Sequence, residues 1–138
     1  YEFTNSTKLR IRETMADIIY KDESYKIMGC CFDVFNKLGY GLRERNYQKA
    51  LEESLSEKGI PFQSQLYVPL KMNDKLIGKY YLDLLVEDKI AVELKVGDHF
   101  MRTEIEQLIS YLKSRDLKLG LLVNFTSKGI KSKRILNL

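Results

Sequence analysis

The feature of the sequence that most constrains the fold is a change of hydrophobic period near residue 60. Upstream, residues 24–38 and 44–58 carry apolar side chains at the spacing of a helix. Downstream, apolar residues alternate with other residues, as a strand requires: Leu66, Val68, Leu70 and Met72. Gly59 and Pro61 separate the two regimes and end the last helix of the first group. The chain is therefore expected to place helices before strands.

The rest of the chain supplies further elements of both kinds. We predict a weak helix over 7–20, strands over 75–86 and 90–96, a helix over 102–114, and a buried strand over 117–125. Thr103 is predicted as the N-cap of the helix that follows it, with Glu106 at the capping-box spacing. The basic tail, 128–138, is expected to form a short strand or helix. These elements predict one α/β (α+β) domain over 1–138, a mixed sheet with helices packed on it, in which 1–20 is a peripheral N-terminal helix.

Within the helix over 24–38, four residues are predicted to form the buried stripe: Met28, Cys31, Phe32 and Phe35. Cys30 and Cys31 are neighbours, and adjacent cysteines in a helix cannot easily reach disulfide geometry. Two reduced thiols favour a reducing compartment, and we expect the cytoplasm. No apolar run approaches the roughly 20 residues that span a bilayer, and no signal peptide pattern is present, so no membrane partner is expected. The net charge of +4 permits a polyanionic partner without requiring one.

Two predicted strands contain acidic residues at positions where burial of a charge is energetically unfavourable. Asp83 lies within the apolar run KYYLDLLVE, and an unpaired aspartate is expensive to bury. In IAVELKV, alternation puts Glu93 and Lys95 on the same face. If a three-residue loop at 87–89 closes a hairpin, Asp83 lies opposite Glu93, at about 5 Å. Either a divalent cation lies between the carboxylates, or Asp83 forms a simple salt bridge with Lys95.

Hard oxygen ligands favour Mg²⁺ or Mn²⁺ over zinc. Such a cation would polarise a phosphoryl oxygen and lower the pKa of an attacking water, which predicts phosphodiester hydrolysis. Lys95 would orient that water or stabilise the charge that develops on phosphorus.

Three other residues are candidates for the same site. Glu44 shares a helix face with Tyr47 and Leu51, where it is either a third carboxylate for the metal or an acid that favours the helix N-terminus. Gln107 and Tyr111 lie one turn apart, beside the apolar face of their helix. Their functional role would be a hydrogen bond to phosphate or a site water. The alternatives are solvent exposure for Gln107 and rim packing for Tyr111.

Together these residues resemble the PD-(D/E)XK nuclease superfamily, in which an acid at the end of one strand precedes (D/E)-x-K on the next. Here those positions are Asp83 and Glu93-Leu94-Lys95. The resemblance implies a restriction-endonuclease-like core, α-β-β-β-α-β, with extra N-terminal helices. Gly41-Leu42-Arg43-Glu44-Arg45-Asn46-Tyr47 also resembles the motif of the GxxExxY family. The resemblance covers about residues 24–130.

What the resemblance implies about the site is specific. Asp83, Glu93 and the backbone carbonyl of Leu94 would be metal ligands, and Lys95 the catalytic lysine. Glu44 would be the helix-borne acid, and Gln107 and Tyr111 supporting residues. Leu82 stands where the superfamily motif has proline.

The expected function is a metal-dependent nuclease acting on nucleic acid, with DNA as the expected substrate. Basic residues in the third helix and the tail could bind the phosphate backbone: Arg43, Arg45, Lys49, Lys128, Lys131, Lys133 and Arg134. One alternative is a non-catalytic module of the same fold that binds nucleic acid or a protein. A second is an interaction domain without metal. The sequence leaves open whether the protein is a homodimer.

Overall fold

The computed structural model describes residues 4–10 and 19–138. The helices are residues 5–10 (α1, described only over this range), α2 (Lys21–Leu38), α3 (Glu44–Glu57) and α4 (Arg102–Arg115). The strands are β1 (Phe62–Met72), β2 (Lys75–Val86), β3 (Ile90–Val96), β4 (Leu119–Thr126) and β5 (Gly129–Leu136). The predicted order of elements is confirmed from residue 21 onward. Most of the helix predicted over 7–20 falls on residues 11–18, which lie outside the described residues.

The five strands form one mixed sheet in the order β1-β2-β3-β4-β5. β3 and β4 are parallel, and every other neighbouring pair is antiparallel. Every residue of β4 is buried, which confirms the interior strand predicted from its apolar run. The basic tail forms β5, so of its two predicted conformations the strand is the correct one.

Apolar side chains cover both faces of the sheet. The larger cluster lies between the sheet and helices α2 and α3, and the smaller one lies under α4. Across the larger cluster, the Tyr47 ring of α3 stacks on Phe125 of β4, with centroids 4.2 Å apart and planes 7° apart. Helices α3 and α4 therefore occupy opposite sides of the sheet.

The buried stripe of α2 differs from the prediction. Cys31 is buried as predicted, together with Ile27, Cys30 and Val34, and the predicted Met28 and Phe35 are partly buried against the same cluster, whereas Phe32 is exposed. Both stripes have helical spacing, so periodicity alone does not choose between them. The two cysteines are free thiols inside this core, in agreement with the expectation that they do not form a disulfide.

The start of α4 also differs from the prediction. The helix begins at Arg102, so Met101 and not Thr103 is the N-cap. The Glu104 carboxylate accepts a hydrogen bond from the Met101 N–H at 3.4 Å, while Glu106 pairs with Arg102 instead. No helix within residues 4–10 and 19–138 is long and apolar enough to cross a membrane.

The sheet opens between β2 and β3. These strands pair at only three positions, and the last pair is Leu84 with Val92. Leu82 contacts the cluster under α4, whereas Leu84 contacts the cluster under α3, so β2 changes its orientation at Asp83. On β1, Gln65 has a φ of 51°, a left-handed conformation that is uncommon for a side chain of this kind. We call this opening the fork.

Beyond the fork, β1 and β2 continue as a two-stranded ribbon that consists of residues 66–82. Asn73 and Asp74 form its tight turn, both with positive φ, as their sequence predicts. The ribbon therefore projects from the sheet at the point where the predicted acids lie.

Candidate active site

Asp83 and Glu93 replace the missing backbone pairing at the fork. The Asp83 N–H donates to Oε1 of Glu93 at 3.0 Å, and the Leu94 N–H donates to Oδ2 of Asp83 at 2.8 Å. Each carboxylate thus accepts a hydrogen bond from the opposite strand, and both side chains are buried. The predicted hairpin explains this proximity, because its loop at 87–89 aligns residues 83 and 93.

The two buried carboxylates disfavour each other's ionisation. Burial, and then the charge of Asp83, raise the pKa of Glu93 from 4.5 to about 8. Burial also raises the pKa of Asp83, against the opposing effects of the Leu94 N–H and the Lys95 ammonium. At neutral pH the pair therefore tends to retain a proton, which a cation held between the carboxylates would displace.

Lys95 lies next to this pair and faces a third acid. Its Nζ is 4.0 Å from Oε1 of Glu44, which is in the first turn of α3. Burial raises the pKa of Glu44, while Lys95 opposes that shift and the charges of Asp83 and Glu104 add to it. No ion pair between Asp83 and Lys95 occurs among the described residues, so the simple salt bridge considered from the sequence does not form there.

Two amide side chains support Asp83 and were missed by the sequence analysis. Nε2 of the buried Gln48 donates to the Asp83 backbone carbonyl at 3.3 Å. Nε2 of Gln65 in turn donates to Oε1 of Gln48 at 2.7 Å, which connects β1, α3 and β2. The sequence signal that could have identified Gln48 is its position, directly after the buried Tyr47 and one helical turn after Glu44.

Gln107 and Tyr111 lie on the α4 side of the fork. The Gln107 side chain is exposed, and its backbone carbonyl accepts a hydrogen bond from the Tyr80 hydroxyl at 3.1 Å. Tyr111 is buried in the cluster under α4 rather than at its rim, and its hydroxyl has no hydrogen-bond partner among the residues that the structure describes. Burial, and then the charge of Glu93, raise the pKa of Tyr80. Tyr80 is therefore a third residue, after Gln48 and Gln65, that the sequence analysis missed.

A cleft of about 620 Å³ opens beside the fork on the α3 side. Its lining combines acids, amides and cations: Glu44, Arg45, Gln48, Lys49, Glu52, Gln65 and Asp83. Of the basic residues considered from the sequence, Arg45 and Lys49 lie here. Lys131 lies on β5, where its Nζ donates to the Asp98 backbone carbonyl at 3.2 Å. A phosphate in this cleft would meet both cations and the carboxylate of Asp83.

The donor atoms at the fork suit a hard divalent cation. Asp83 and Glu93 supply carboxylate oxygens, which Mg²⁺ and Mn²⁺ prefer. Across residues 4–10 and 19–138, no three acids, thiols or imidazoles converge closely enough to hold a metal alone. Mg²⁺ commonly binds through one or two carboxylates and completes its shell with water and substrate phosphate, so two acids suffice.

Comparisons with known proteins agree with this architecture. No curated protein sequence matches the chain. The crystal structure of SSO0001 is similar in fold, with a TM-score of 0.53 and 19% sequence identity over 67% of this chain and 49% of that one. The present chain thus spans about half the length of that protein. The family model described as the PD-(D/E)XK nuclease superfamily matches residues 21–135. This match includes β1 to β4, all of β5 except its last residue, and all the residues of the fork. The chain therefore belongs to the PD-(D/E)XK nuclease superfamily.

Proposed function

We propose that the protein is a Mg²⁺- or Mn²⁺-dependent nuclease that hydrolyses phosphodiester bonds in DNA. The observation that carries this proposal is the pair of buried carboxylates at the fork, with the Lys95 ammonium beside them. Burying two acids together is unfavourable unless a positive charge compensates them. The Lys95 ammonium opposes the rise in the pKa of Asp83 but makes its ion pair with Glu44 at 4.0 Å, so it compensates the two acids only in part and a bound cation would complete the compensation.

Each residue at the fork has a role in this proposal. Asp83, Glu93 and the backbone carbonyl of Leu94 would hold the cation, which supplies Lewis-acid activation of phosphate and water when it is bound. Lys95 would orient the attacking water or stabilise charge on the phosphoryl oxygens. Glu44 holds the Lys95 ammonium over the site. Gln107 and Tyr111, whose hydroxyl lacks a hydrogen-bond partner within residues 4–10 and 19–138, are proposed supporting residues on the α4 side.

Within the superfamily, we place the chain in the GxxExxY family, whose motif has a physical explanation here. The Tyr47 hydroxyl donates to the Gly39 carbonyl at 2.6 Å and accepts from the Leu42 N–H at 3.4 Å. Gly41 has a φ of 108°, which favours glycine. Tyr47 therefore fixes the loop that leads into α3, and this loop sets the position of Glu44 in the first helical turn.

The first test is cleavage by a Lys95→Ala variant. Removing one electrostatic donor of this kind costs about 10²–10³ in kcat, so we expect at least a hundredfold loss of DNA cleavage with Mn²⁺. Circular dichroism should show an unchanged fold, because the Lys95 side chain contributes one long ion pair to a half-exposed acid. The matched control is Lys113→Ala, an exposed lysine in the last turn of α4. Cleavage retained by Lys95→Ala would contradict the assigned role.

The second test is metal binding without substrate. Calorimetry with Mn²⁺ should detect binding to the wild type and none to the Asp83→Asn/Glu93→Gln variant. Both substitutions keep an oxygen that accepts the cross-strand hydrogen bond, so the fork should remain closed. Binding of equal strength to this variant would place the cation elsewhere.

A non-catalytic module is the second candidate, and one observation favours it. Asp83 and Glu93 already have a structural role, because each accepts a hydrogen bond from a backbone N–H that regular strand pairing does not satisfy at the fork. Such acids would be retained in a domain that only binds nucleic acid or protein. Mn²⁺ binding without cleavage of single-stranded, duplex or branched DNA would support this alternative.

A further inference from the structure

The ribbon carries two exposed aromatic rings side by side. Tyr67 of β1 is paired directly with Tyr81 of β2. Their ring centroids are 5.8 Å apart, and the planes meet at 61°. The two side chains are 44% and 46% exposed. A large aromatic pair that is half exposed on a projecting ribbon offers contact area that the fold itself does not use.

These rings lie on the same side of the sheet as the cleft. Leu66, Val68, Tyr80 and Leu82 alternate with them along the two strands and contact the cluster under α4. The tyrosines therefore project from the other face of the ribbon, which is the α3 side. Two residues further along the strands, Gln65 and Asp83 line the cleft, and two strand residues span roughly 7 Å. The aromatic pair thus adjoins the entrance to the site.

Unpaired cations flank the rings. Lys79 lies two residues before Tyr81 on the same face of β2, opposite Pro69, and Lys71 lies further along β1 toward the tight turn. Neither lysine has an ion-pair partner within the part of the chain that the structure describes. On the cleft side, Arg45 and Lys49 continue the positive charge. Positive charge on both sides of two exposed rings is complementary to a polyanion that carries planar groups.

We propose that Tyr67 and Tyr81 form a stacking platform for an unpaired nucleic-acid strand that runs along the ribbon into the cleft. The ligand class rests on the proposed nuclease function, and the inference adds that the substrate enters as a single strand. Bases stack on aromatic side chains only when their faces are free, which is the case in single strands and frayed ends. The phosphates of the same strand would contact Lys79 and Lys71 on one side and Arg45 and Lys49 on the other.

The test measures binding without catalysis. Fluorescence anisotropy in EDTA would compare a labelled 20-nucleotide oligo(dT) with a labelled 20-base-pair duplex. Because base–aromatic stacking contributes strongly to the binding of single strands, we expect Tyr67→Ala/Tyr81→Ala to weaken oligo(dT) binding at least about tenfold. Duplex binding should change less than about twofold. Tyr67→Phe/Tyr81→Phe should bind like the wild type, because a phenyl ring keeps the stacking surface.

The chain offers a matched control in Tyr25. It is 81% exposed on α2, away from the ribbon, so Tyr25→Ala should leave oligo(dT) binding unchanged. Equal binding of oligo(dT) by the wild type and Tyr67→Ala/Tyr81→Ala would overturn the platform. If the double substitution weakened the binding of oligo(dT) and of the duplex equally, the proposal that the bound strand is unpaired would be overturned. A dimer that the double substitution converts to a monomer in analytical ultracentrifugation would also overturn it, because the ribbon would then join two copies.

The inference and the proposed function can fail separately. If the tyrosine pair is needed for oligo(dT) binding but no DNA is cleaved with Mn²⁺, the platform stands and the nuclease assignment fails. If DNA is cleaved and the tyrosine substitutions change neither binding nor cleavage, the nuclease assignment stands and the platform fails.

Discussion

Replacing Glu93 by glutamine should stabilise the metal-free protein at high pH. The fork holds the Glu93 carboxylate against Asp83, and burial together with that charge raises the pKa of Glu93 to about 8. Glutamine resembles the protonated acid: its oxygen can still accept from the Asp83 N–H, and its amide carries no charge. The substitution therefore removes the electrostatic cost and keeps the hydrogen bond.

The pH window follows from the direction of the shift. A carboxyl group whose pKa is higher in the folded state binds more protons when folded, so its favourable contribution is complete below pH 4.5. That contribution is lost as pH rises through about 8. One pKa unit corresponds to about 1.4 kcal/mol. The rise in the pKa of Glu93 therefore sets an upper bound of about 5 kcal/mol on the free energy of unfolding that its ionisation removes at pH 9. We expect Glu93→Gln to gain at least about 2 kcal/mol at pH 9 and much less near pH 4.5.

The assay is urea unfolding of both proteins in EDTA at pH 4.5, 6, 7.5 and 9. Glu53→Gln is the control, because Glu53 is exposed on α3 and has no ion-pair partner among the described residues. It should follow the wild type at every pH. In 138 residues, 1 kcal/mol changes the melting temperature by about 3–5 °C, so thermal melts provide an independent measurement.

Two results would refute the reasoning. No gain in the free energy of unfolding of Glu93→Gln at pH 9 would mean that the two carboxylates do not repel each other. An equal gain at every pH would point to packing rather than ionisation. With saturating Mn²⁺ the order should reverse, because a cation that binds the folded wild type stabilises it by mass action and has lost a ligand in the variant.

Further predictions concern the loop before α3 and the packing of α4. Tyr47→Phe should cost about 1–2 kcal/mol in urea unfolding, because the Gly39 carbonyl loses its donor while the ring still stacks on Phe125; unchanged stability would show that the bond contributes nothing. Gly120→Ala should cost about 1–3 kcal/mol, because a Cβ there would lie 2.9 Å from Cγ and Cδ2 of Leu108. Combining it with Leu108→Ala should cost less than the sum of the two single changes, and strict additivity would contradict a clash at this contact.

The sequence predicts the hairpin better than it predicts helix packing. Asn73-Asp74 and the loop at 87–89 fix the strand register, and this register brings Asp83 to Glu93. On α2, the stripe of Ile27, Cys30 and Val34 and the predicted stripe containing Phe32 have the same period. Only the tertiary contacts with α3 and the sheet choose between the two, and local sequence carries no information about them.

The fork itself is beyond what alternation can predict. A regular strand would keep Leu82 and Leu84 on the same face, and the change at Asp83 reorients the ribbon. The amide pair of Gln48 and Gln65 depends on the resulting proximity of α3 and β1, across 17 residues of sequence. Polar residues with long-range partners are therefore identified only once the elements are assembled.

The hydrogen bonds that Asp83 and Glu93 accept across the fork affect which substitutions such a domain tolerates during evolution. An apolar replacement at either acid leaves a buried N–H without an acceptor, which costs about 1–3 kcal/mol regardless of any enzymatic duty. Lys95 is under a weaker constraint, because among the described residues it forms one ion pair, with Glu44 at 4.0 Å, and otherwise acts on the acids through its charge. A lineage released from selection for catalysis would lose the lysine first and keep its acids. Among homologues that descend from such a chain, we expect the residue at position 95 to distinguish active enzymes from those that have lost catalysis.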